Sequence, residues 1–243
     1  MKRAPWMLTA AGLALAPALS PANAAEPKPA ASPSPSAMHA NPFLQPSTLP
    51  YQLPPFDKIT DADFRPAFDQ GMAEQRKEID AIAHDPEAPT FENTIVAMER
   101  TGALLTRVEK AFGNLVVSNS TEEMEKIEAE MSPKLAAHED AILLDPALFA
   151  RVDAVWQKRD SLGLDAESLQ LLNRYETMFL RAGAKLSEKD KTELKKLNED
   201  ISSLMTQFRQ NVLKATKDGA VVVDNKADLD GFSAEQIGAA AEA

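Results

Sequence analysis

The stretch Thr60–Ala83 reads TDADFRPAFDQGMAEQRKEIDAIA, and its pattern decides the fold class of the chain. Large apolar residues recur at spacings close to whole helical turns and so form one stripe on a helix: Phe64, Phe68, Met72, Ile79 and Ile82. Thr60 and Asp63 have the spacing of a capping box, in which two side chains accept backbone N–H groups at the start of a helix. The stretch therefore predicts an amphipathic helix over 61–83.

The same succession of cap, apolar stripe and breaker recurs along the rest of the chain. Five further long helices are predicted from these markers: a stripe over Ile95–Leu115; the cap Ser120 with Pro133 as an internal kink; Asp145-Pro146 as cap and first residue; the cap Asp165 with Gly183 at the end; and the cap Ser187 with a stripe to about Thr216. The sequence thus predicts a mostly α, multi-helix body.

The last of these helices is the longest, about 44 Å at 1.5 Å per residue. Its stripe consists of Leu194, Leu197, Ile201, Leu204, Phe208 and Val212. A rod of this length is expected to have neighbours along its whole length. Methionines on the helical stripes are interpreted as core residues: Met98, Met124, Met131 and Met205.

One short β segment is predicted at 220–224, where three valines lie between Gly219 and Asp224. A lone strand is not stable, so a partner strand is expected elsewhere. Ser233 and Gln236 then have the capping spacing of a helix over 234–243. That helix has no stop residue, and we interpret the chain as truncated at its carboxyl end.

The first 57 residues are organised differently. Residues 1–24 have a basic start, a short apolar run and an A-x-A pattern, which predict a signal peptide cleaved between Ala24 and Ala25. The mature protein is then expected to be periplasmic or secreted and not to lie in a membrane, although an uncleaved anchor is an alternative. Residues 25–40 are rich in Pro, Ala and Ser and predict a flexible linker. Residues 41–57 combine proline with apolar residues, which suits an extended arm pinned onto a folded body.

Composition narrows the functional classes. With 37 acidic and 26 basic residues, the formal charge is −11, which argues against nucleic acid as a partner because phosphate binding needs an excess of Lys and Arg. The chain has no cysteine, so thiolate chemistry and zinc–thiolate sites are excluded. The closest two glycines, Gly231 and Gly238, are too far apart for a phosphate-binding loop.

The residues by themselves predict no catalytic, cofactor-binding or metal-binding site. The three histidines, His39, His84 and His138, contain no pair one helical turn apart, which a helix-borne zinc site needs. His138 falls on an apolar stripe and is interpreted as a packed or hydrogen-bonded core residue. His84 is expected at a helix C-terminus, where an imidazolium favours the dipole.

Several blocks of the sequence, taken in order, resemble the amino-terminal region of the thimet oligopeptidase and neurolysin family of zinc metallopeptidases. The bacterial peptidyl-dipeptidase (dipeptidyl carboxypeptidase) branch is the most similar. The blocks are LPPFDKI at 53–59, FRPAF at 64–68, Gly71-Met72, Glu74-Gln75, Glu78-Ile79, Ala81-Ile82-Ala83, PTFENTI at 89–95, FRQNVLKAT at 208–216 and LDGFS at 229–233. The resemblance covers residues 41–243.

This resemblance implies a mostly helical, two-lobed peptidase with a deep channel, in which residues 41–243 form the amino-terminal, channel-gating lobe. The complete enzyme would hydrolyse short peptides, releasing dipeptides from the carboxyl end, with one zinc ion held by H-E-x-x-H and a downstream glutamate. That motif is absent from this sequence. We therefore expect this chain to bind no zinc, to be inactive alone and to need a C-terminal catalytic portion.

Two other interpretations remain open. A free-standing exported helical domain could bind peptides or another protein without catalysis, and such a domain should end on a capped helix and pair its own strand. A coiled-coil spacer is the second alternative. The sequence argues against it, since Pro86, Pro133, Gly163 and Gly183 interrupt the stripes and no heptad pattern is sustained.

Overall fold

Helix α1, Asp61–Ala83, spans both parts of the hydrophobic core. The computed structural model of the chain describes residues 40–219, 221, 223 and 225–241. The pattern of contacts places Asn41–Ala243 in one compact unit. The expected signal peptide and nearly all of the expected linker lie outside the described residues. The bounds of α1 match the predicted helix, and the Asp63 carboxylate accepts the Thr60 backbone N–H at 2.8 Å.

The described part of the chain is helical and contains no strand, which confirms the mostly α class. After α1, a π-helical turn at Phe91–Val96 leads into α2, and the further helices follow in this order: α2 Ala97–Glu99, α3 Ala103–Ser118, α4 Glu122–Leu143, α5 Pro146–Gln157, α6 Ala166–Ala182, α7 Glu188–Asp218 and α8 Ala234–Ala241. No helix in the described residues is long and apolar enough to cross a membrane.

Most of the predicted helix ends are confirmed. The side chains of Asp145, Asp165 and Ser187 accept backbone N–H groups at the starts of α5, α6 and α7. Gly183 ends α6 with φ = 98°, a left-handed conformation that residues with a Cβ rarely adopt. The predicted cap of α4 is wrong by one residue, because the Thr121 side chain, rather than that of Ser120, accepts the Met124 N–H at 3.1 Å.

One other prediction about helices needs correction. The single helix expected through Ile95–Leu115 is divided at Gly102, whose φ of 71° is incompatible with a continuous right-handed helix. The Gly102 N–H instead donates to a Glu78 carboxylate oxygen at 2.7 Å, so α1 stabilises the break. Helix α4 contains Pro133 and continues to Leu143, and the kink expected at Pro133 stays a prediction.

The predicted β segment at 220–224 is not found in the described part of the chain. Val221 and Val223 are exposed and irregular, and the other three positions lie outside the described residues. The physical reason is that no described strand provides the backbone donors and acceptors that a β segment needs. Downstream, Ser233 and Gln236 form the predicted cap of α8, with hydrogen bonds of 2.8 and 3.2 Å.

The core consists of two clusters that meet along α1. The first contains residues of the arm, the first half of α1, α3 and α4: Phe43, Phe64, Ala67, Phe68, Leu104, Leu105, Val108, Ala111, Phe112, Met124, Ile127 and Met131. The second joins the end of α1 to α2, α5 and α6: Ile79, Ile82, Ala83, Ile95, Met98, Leu148, Phe149, Val152, Val155, Leu172, Phe179 and Ala184. No residue of α7 belongs to either cluster.

The arm at 41–57 is held to the body mainly at its beginning. Phe43 is buried and its ring centroid lies 5.2 Å from that of Phe64, while Arg107 donates to the Phe43 carbonyl at 3.1 Å. The other large apolar side chains of the arm are at least one-third exposed: Leu44, Leu49, Tyr51, Leu53 and Phe56. The expectation that several apolar side chains pin the arm is therefore correct only for Phe43.

Buried and bridging arginines fix the loops and helices around α1. Arg151 of α5 donates to the carbonyls of Asp85 and Glu87 at 2.8 and 3.1 Å, which holds the loop after α1 in place. Arg65 of α1 pairs with Glu123 and Glu130 of α4 at 2.6 and 2.7 Å. These contacts fix the relative positions of α1, α4 and α5.

Candidate functional surface

Helix α7 packs against α4 through polar side chains. The hydrogen bonds run along the two helices: Asn198 to Asp140 at 2.8 Å, Thr206 to Ser132 at 3.0 Å, Arg209 to Glu128 at 2.8 Å and Gln210 to the Glu125 carbonyl at 2.8 Å. Within α7, all of which is described, the buried residues are Lys191 and Thr206. The inner face of this helix is therefore made of hydrogen-bonding groups.

Asp140 is the most buried acidic group of this contact. Burial raises the pKa of its carboxyl group, and the hydrogen bond from Asn198 and the charge of Lys195 act in the opposite direction. The Asp140 Oδ2 atom has no hydrogen-bond partner among the described residues. Asn198 is thus the direct hydrogen-bond donor to this buried carboxyl group.

Most of the apolar stripe of α7 is exposed, although the helix has α4 as a neighbour. We call the exposed part the α7 ridge; it consists of Leu197, Ile201, Leu204, Met205, Phe208 and Val212. Their exposed fractions run from 48% at Val212 to 69% at Phe208. The prediction that Met205 is a core residue is therefore wrong, whereas Met98, Met124 and Met131 are buried as predicted.

Helix geometry explains this exposure. At 100° per residue, the side chains that hydrogen-bond to α4, such as Asn198 and Gln210, lie about 60–180° round the helix from Ile201. The α4 contact therefore leaves the stripe beside the interface and not inside it. The apolar pattern predicted that the stripe is the buried face of α7, but α4 packs against a different face of that helix.

A groove lies beside this contact, between α3 and α4 and bordered by α7. It comprises two adjoining cavities of about 490 and 560 Å³ that share Glu109, Ser132 and Leu135. Helix α1 contributes Phe68 to one cavity and Gln75 to the other, and α7 contributes Leu213. Cavities of this size are within the range of small-ligand and peptide side-chain pockets. We call this feature the α3–α4 groove.

The groove has an acidic and partly buried polar lining. Burial raises the pKa of the Glu109 carboxyl group; nearby Lys110 lowers it, and the negative charge of Glu139 raises it further. His138 lines the same cavity as Glu109 and Glu139, with its Nε2 atom 2.7 Å from the Gln75 side-chain oxygen. Burial, and secondarily the charge of Arg76, lowers the His138 pKa and so favours its neutral form.

Sequence reasoning found part of this site. It interpreted His138 as packed or hydrogen-bonded, and the structure places it half-buried against Gln75. It missed the proximity of Glu109 and Glu139, which are on separate helices and 30 positions apart. No local spacing signals this pair, because the packing of α3 and α4 on α1 brings them together.

The described residues do not fit a zinc ion. No group of three His, Cys, Asp or Glu side chains in this part of the chain is arranged to hold a metal. His84 is exposed at the C-terminus of α1, with Nδ1 3.0 Å from the Asp80 carbonyl, and His138 is on α4. His39 lies outside the described residues. No catalytic step is therefore assigned to this part of the chain.

Comparison with curated proteins shows which known proteins the chain resembles in sequence. It is 48% identical over 206 residues to the dipeptidyl carboxypeptidase of Salmonella typhimurium (strain LT2), a match that covers 85% of this chain. This chain is similar to part of a dipeptidyl carboxypeptidase. The dipeptidyl carboxypeptidase of Escherichia coli (strain K12) is also 48% identical, over 203 residues and 84% of this chain. The resemblance predicted from the sequence blocks is thereby confirmed.

The match covers a limited share of these relatives. The chain spans 30% of the length of each of the two dipeptidyl carboxypeptidases. The organellar oligopeptidase A of Arabidopsis thaliana is 22% identical over 206 residues, which is 85% of this chain and 25% of that protein. No protein-family model matches the chain. About 70% of each dipeptidyl carboxypeptidase thus lies outside the match.

Proposed function

We propose that this chain is the amino-terminal, channel-gating part of a zinc metallopeptidase that hydrolyses oligopeptides and releases dipeptides from their carboxyl ends. The observation that carries the proposal is the 48% identity, over 84–85% of the chain, to two proteins named dipeptidyl carboxypeptidase. Because the chain spans 30% of these relatives, the activity, the peptide substrates and the catalytic portion all belong to the proposal.

The proposal assigns the chemistry to the remaining portion of the enzyme. One zinc ion, when bound there, would activate a water molecule to attack the peptide bond. The residues of this chain would form a wall that limits access to short, unstructured peptides. Arg65 and Arg151 support this role because they tie helices and loops together and so favour a wall of fixed shape.

The proposed location is the periplasm or the exterior of the cell. Its support is the basic and apolar sequence of residues 1–24, followed by small residues up to Ala24. The amino-terminal sequence of the natural product tests this point. A mature chain that begins at Ala25 is the expected result, and a product of the exported fraction that retains Met1 would contradict it.

The test of the proposed activity is the natural gene product, characterised by intact mass, zinc content and peptidase assay. We expect a species well above 26.4 kDa that contains one zinc ion and releases a dipeptide from the carboxyl end of an amino-blocked octapeptide. A chelator should abolish the release, and zinc should restore it. The matched control is the 243-residue chain alone, which should give no product; peptide cleavage by that chain would overturn the division of roles.

A second candidate function is peptide or protein binding without catalysis, and the α3–α4 groove is the observation that favours it. A groove with apolar walls and the acidic groups Glu109 and Glu139 would suit a peptide with a basic residue. Fluorescence anisotropy of a labelled basic octapeptide with the 243-residue chain tests this candidate. Saturable binding that Glu109→Gln and Glu139→Gln both weaken would support it, and binding unaffected by either substitution would exclude the groove.

A further inference from the structure

The α7 ridge is an exposed apolar surface, whereas the other large apolar stripes of the chain contribute to the two buried clusters. Six large apolar side chains lie on one side of α7, all of them at least 48% exposed. From Leu197 to Val212 the ridge is about 22 Å long at 1.5 Å per residue. Its six positions include no charged residue. A continuous apolar patch of this kind marks an interaction surface more often than ordinary solvent-exposed surface.

The described part of the chain does not cover the ridge by its own packing. The hydrogen bonds of α7 to α4 come from the neighbouring face, and both core clusters are complete without α7. Two further exposed apolar side chains, Leu213 and Val117, line one cavity of the α3–α4 groove. The described part of the chain therefore leaves the ridge open to a further packing partner.

We infer that the α7 ridge is the surface on which the remaining portion of the full-length peptidase packs. The inference rests on the proposed function, and it deepens that function by naming the place where the two portions meet. Its support is the length of the relatives: about 70% of each dipeptidyl carboxypeptidase lies outside the matched part. An apolar ridge with hydrogen-bonding groups beside it has the composition of a permanent interface, which resembles a protein core.

Charge and shape argue against two other occupants. A second copy of this chain would bring together two bodies with a formal charge of −11 each, and this repulsion opposes their association. A short peptide substrate needs a concave site, whereas the exposed face of a single helix is convex. A large apolar partner surface, joined covalently to this chain, meets neither objection.

The absence of cysteine from the chain allows a direct test by thiol labelling. A single cysteine is introduced on the ridge by Phe208→Cys or, more conservatively, Met205→Cys. The matched control is Lys196→Cys, an exposed position on the same helix about 140° round from Ile201. Each variant is made in the 243-residue chain and in the full-length polypeptide, and the rate of maleimide modification is followed at that site by mass spectrometry.

The expected result is at least tenfold slower labelling of both ridge cysteines in the full-length polypeptide than in the 243-residue chain, with the Lys196→Cys rate changed less than twofold. Equal rates in the two contexts would overturn the inference. So would protection in the 243-residue chain that disappears on dilution, which indicates a second copy, or protection that needs an added octapeptide. A natural product no longer than 243 residues would also overturn it.

The two proposals fail separately. A full-length polypeptide that protects the ridge but releases no dipeptide would refute the proposed activity and leave the packing intact. A full-length polypeptide that releases dipeptides while its ridge cysteines remain reactive would refute the packing and leave the activity intact.

Discussion

Helices α1 and α7 have the same kind of sequence and opposite surroundings. Each begins with a capping side chain, and each has large apolar residues at helical spacing. In α1 the stripe is largely buried, with Phe64, Phe68 and Ile79 at most 2% exposed. In α7 the stripe is the exposed ridge, and the two buried residues are polar or charged. An apolar stripe therefore identifies the face that needs a partner but does not supply one.

The difference follows from the number of neighbours. Helix α1 packs against α3, α4 and α5, and its two halves belong to different clusters. Helix α7 packs mainly against α4, by a line of hydrogen bonds. A hydrogen bond formed on folding replaces one made to water in the unfolded chain, so its net contribution to stability is modest. Apolar burial is the dominant favourable contribution to folding. The stability of this body should thus depend strongly on α1 and much less on the α7 ridge.

Phe64→Ala tests the α1 side of this comparison and should have the largest effect. The Phe64 ring is fully buried between Phe43 and Phe112, with centroid distances of 5.2 and 5.0 Å. Its removal leaves a cavity and should lower the free energy of unfolding by about 3–5 kcal/mol. Urea unfolding followed by circular dichroism measures the loss; a loss below about 1 kcal/mol would contradict the assignment of the core.

Gly71→Ala sharpens the comparison by testing how closely α1 approaches α3. A Cβ atom at Gly71 would lie 2.9 Å from the Leu105 Cα atom, so the two helix backbones would have to separate. We expect a loss of about 1–3 kcal/mol in the free energy of unfolding. Gly113→Ala in α3 is the control, because nothing lies within 4 Å of its Cβ position; this change should stabilise the helix by about 0.5–1 kcal/mol. The same sign for both variants would refute the close approach.

Asn198→Ala tests the polar contact between α7 and α4. The substitution removes the donor to Asp140 and leaves its buried carboxyl group without this hydrogen bond, at a cost of about 1–3 kcal/mol in unfolding free energy. The control is Asn114→Ala in α3, whose exposed side chain donates only to the Lys110 carbonyl of its own helix. That control should stay within about 0.5 kcal/mol of the wild type. Equal effects of the two changes would show that the α4–α7 contact contributes little.

Asp140→Asn tests the electrostatic part of the same contact. Because burial raises the folded-state pKa of Asp140 above its unfolded value, its contribution to stability falls as pH rises through the window between the two values. The amide of the variant does not titrate. Unfolding free energies measured from acid to neutral pH should therefore move in favour of Asp140→Asn as pH rises, and then stay parallel. A difference between the two proteins that is independent of pH would contradict the raised pKa.

Phe208→Ala tests the ridge and should have the smallest effect. Phe208 is 69% exposed, so its truncation in the 243-residue chain should change the unfolding free energy by less than about 0.5 kcal/mol. The contrast with Phe64→Ala is the sharpest form of the comparison, because the two changes are chemically identical. A loss above about 2 kcal/mol would mean that the ridge is covered in the isolated chain and would break the comparison.

The sequence predicted local structure well where one residue type determines it. The caps Asp145, Asp165 and Ser187 and the terminal Gly183 are correct because a side-chain acceptor or a positive φ acts within a few residues. The break at Gly102 was missed because a carboxylate from α1, 24 positions away, stabilises it. The groove was missed for the same reason, since Glu109 and Glu139 come together only through the packing of three helices.

The sequence by itself determined that the chain is mostly α, where most helices begin and end, and which proteins it resembles. These properties depend on hydrogen bonds and periodicities within a few turns and on the identity of ordered blocks of residues. The tertiary structure alone decided which stripes are buried, because burial requires a second surface at the right distance. Phe64 and Phe208 both lie on the apolar stripe of their own helix, and only the neighbours around them make one a core residue and the other part of an exposed ridge.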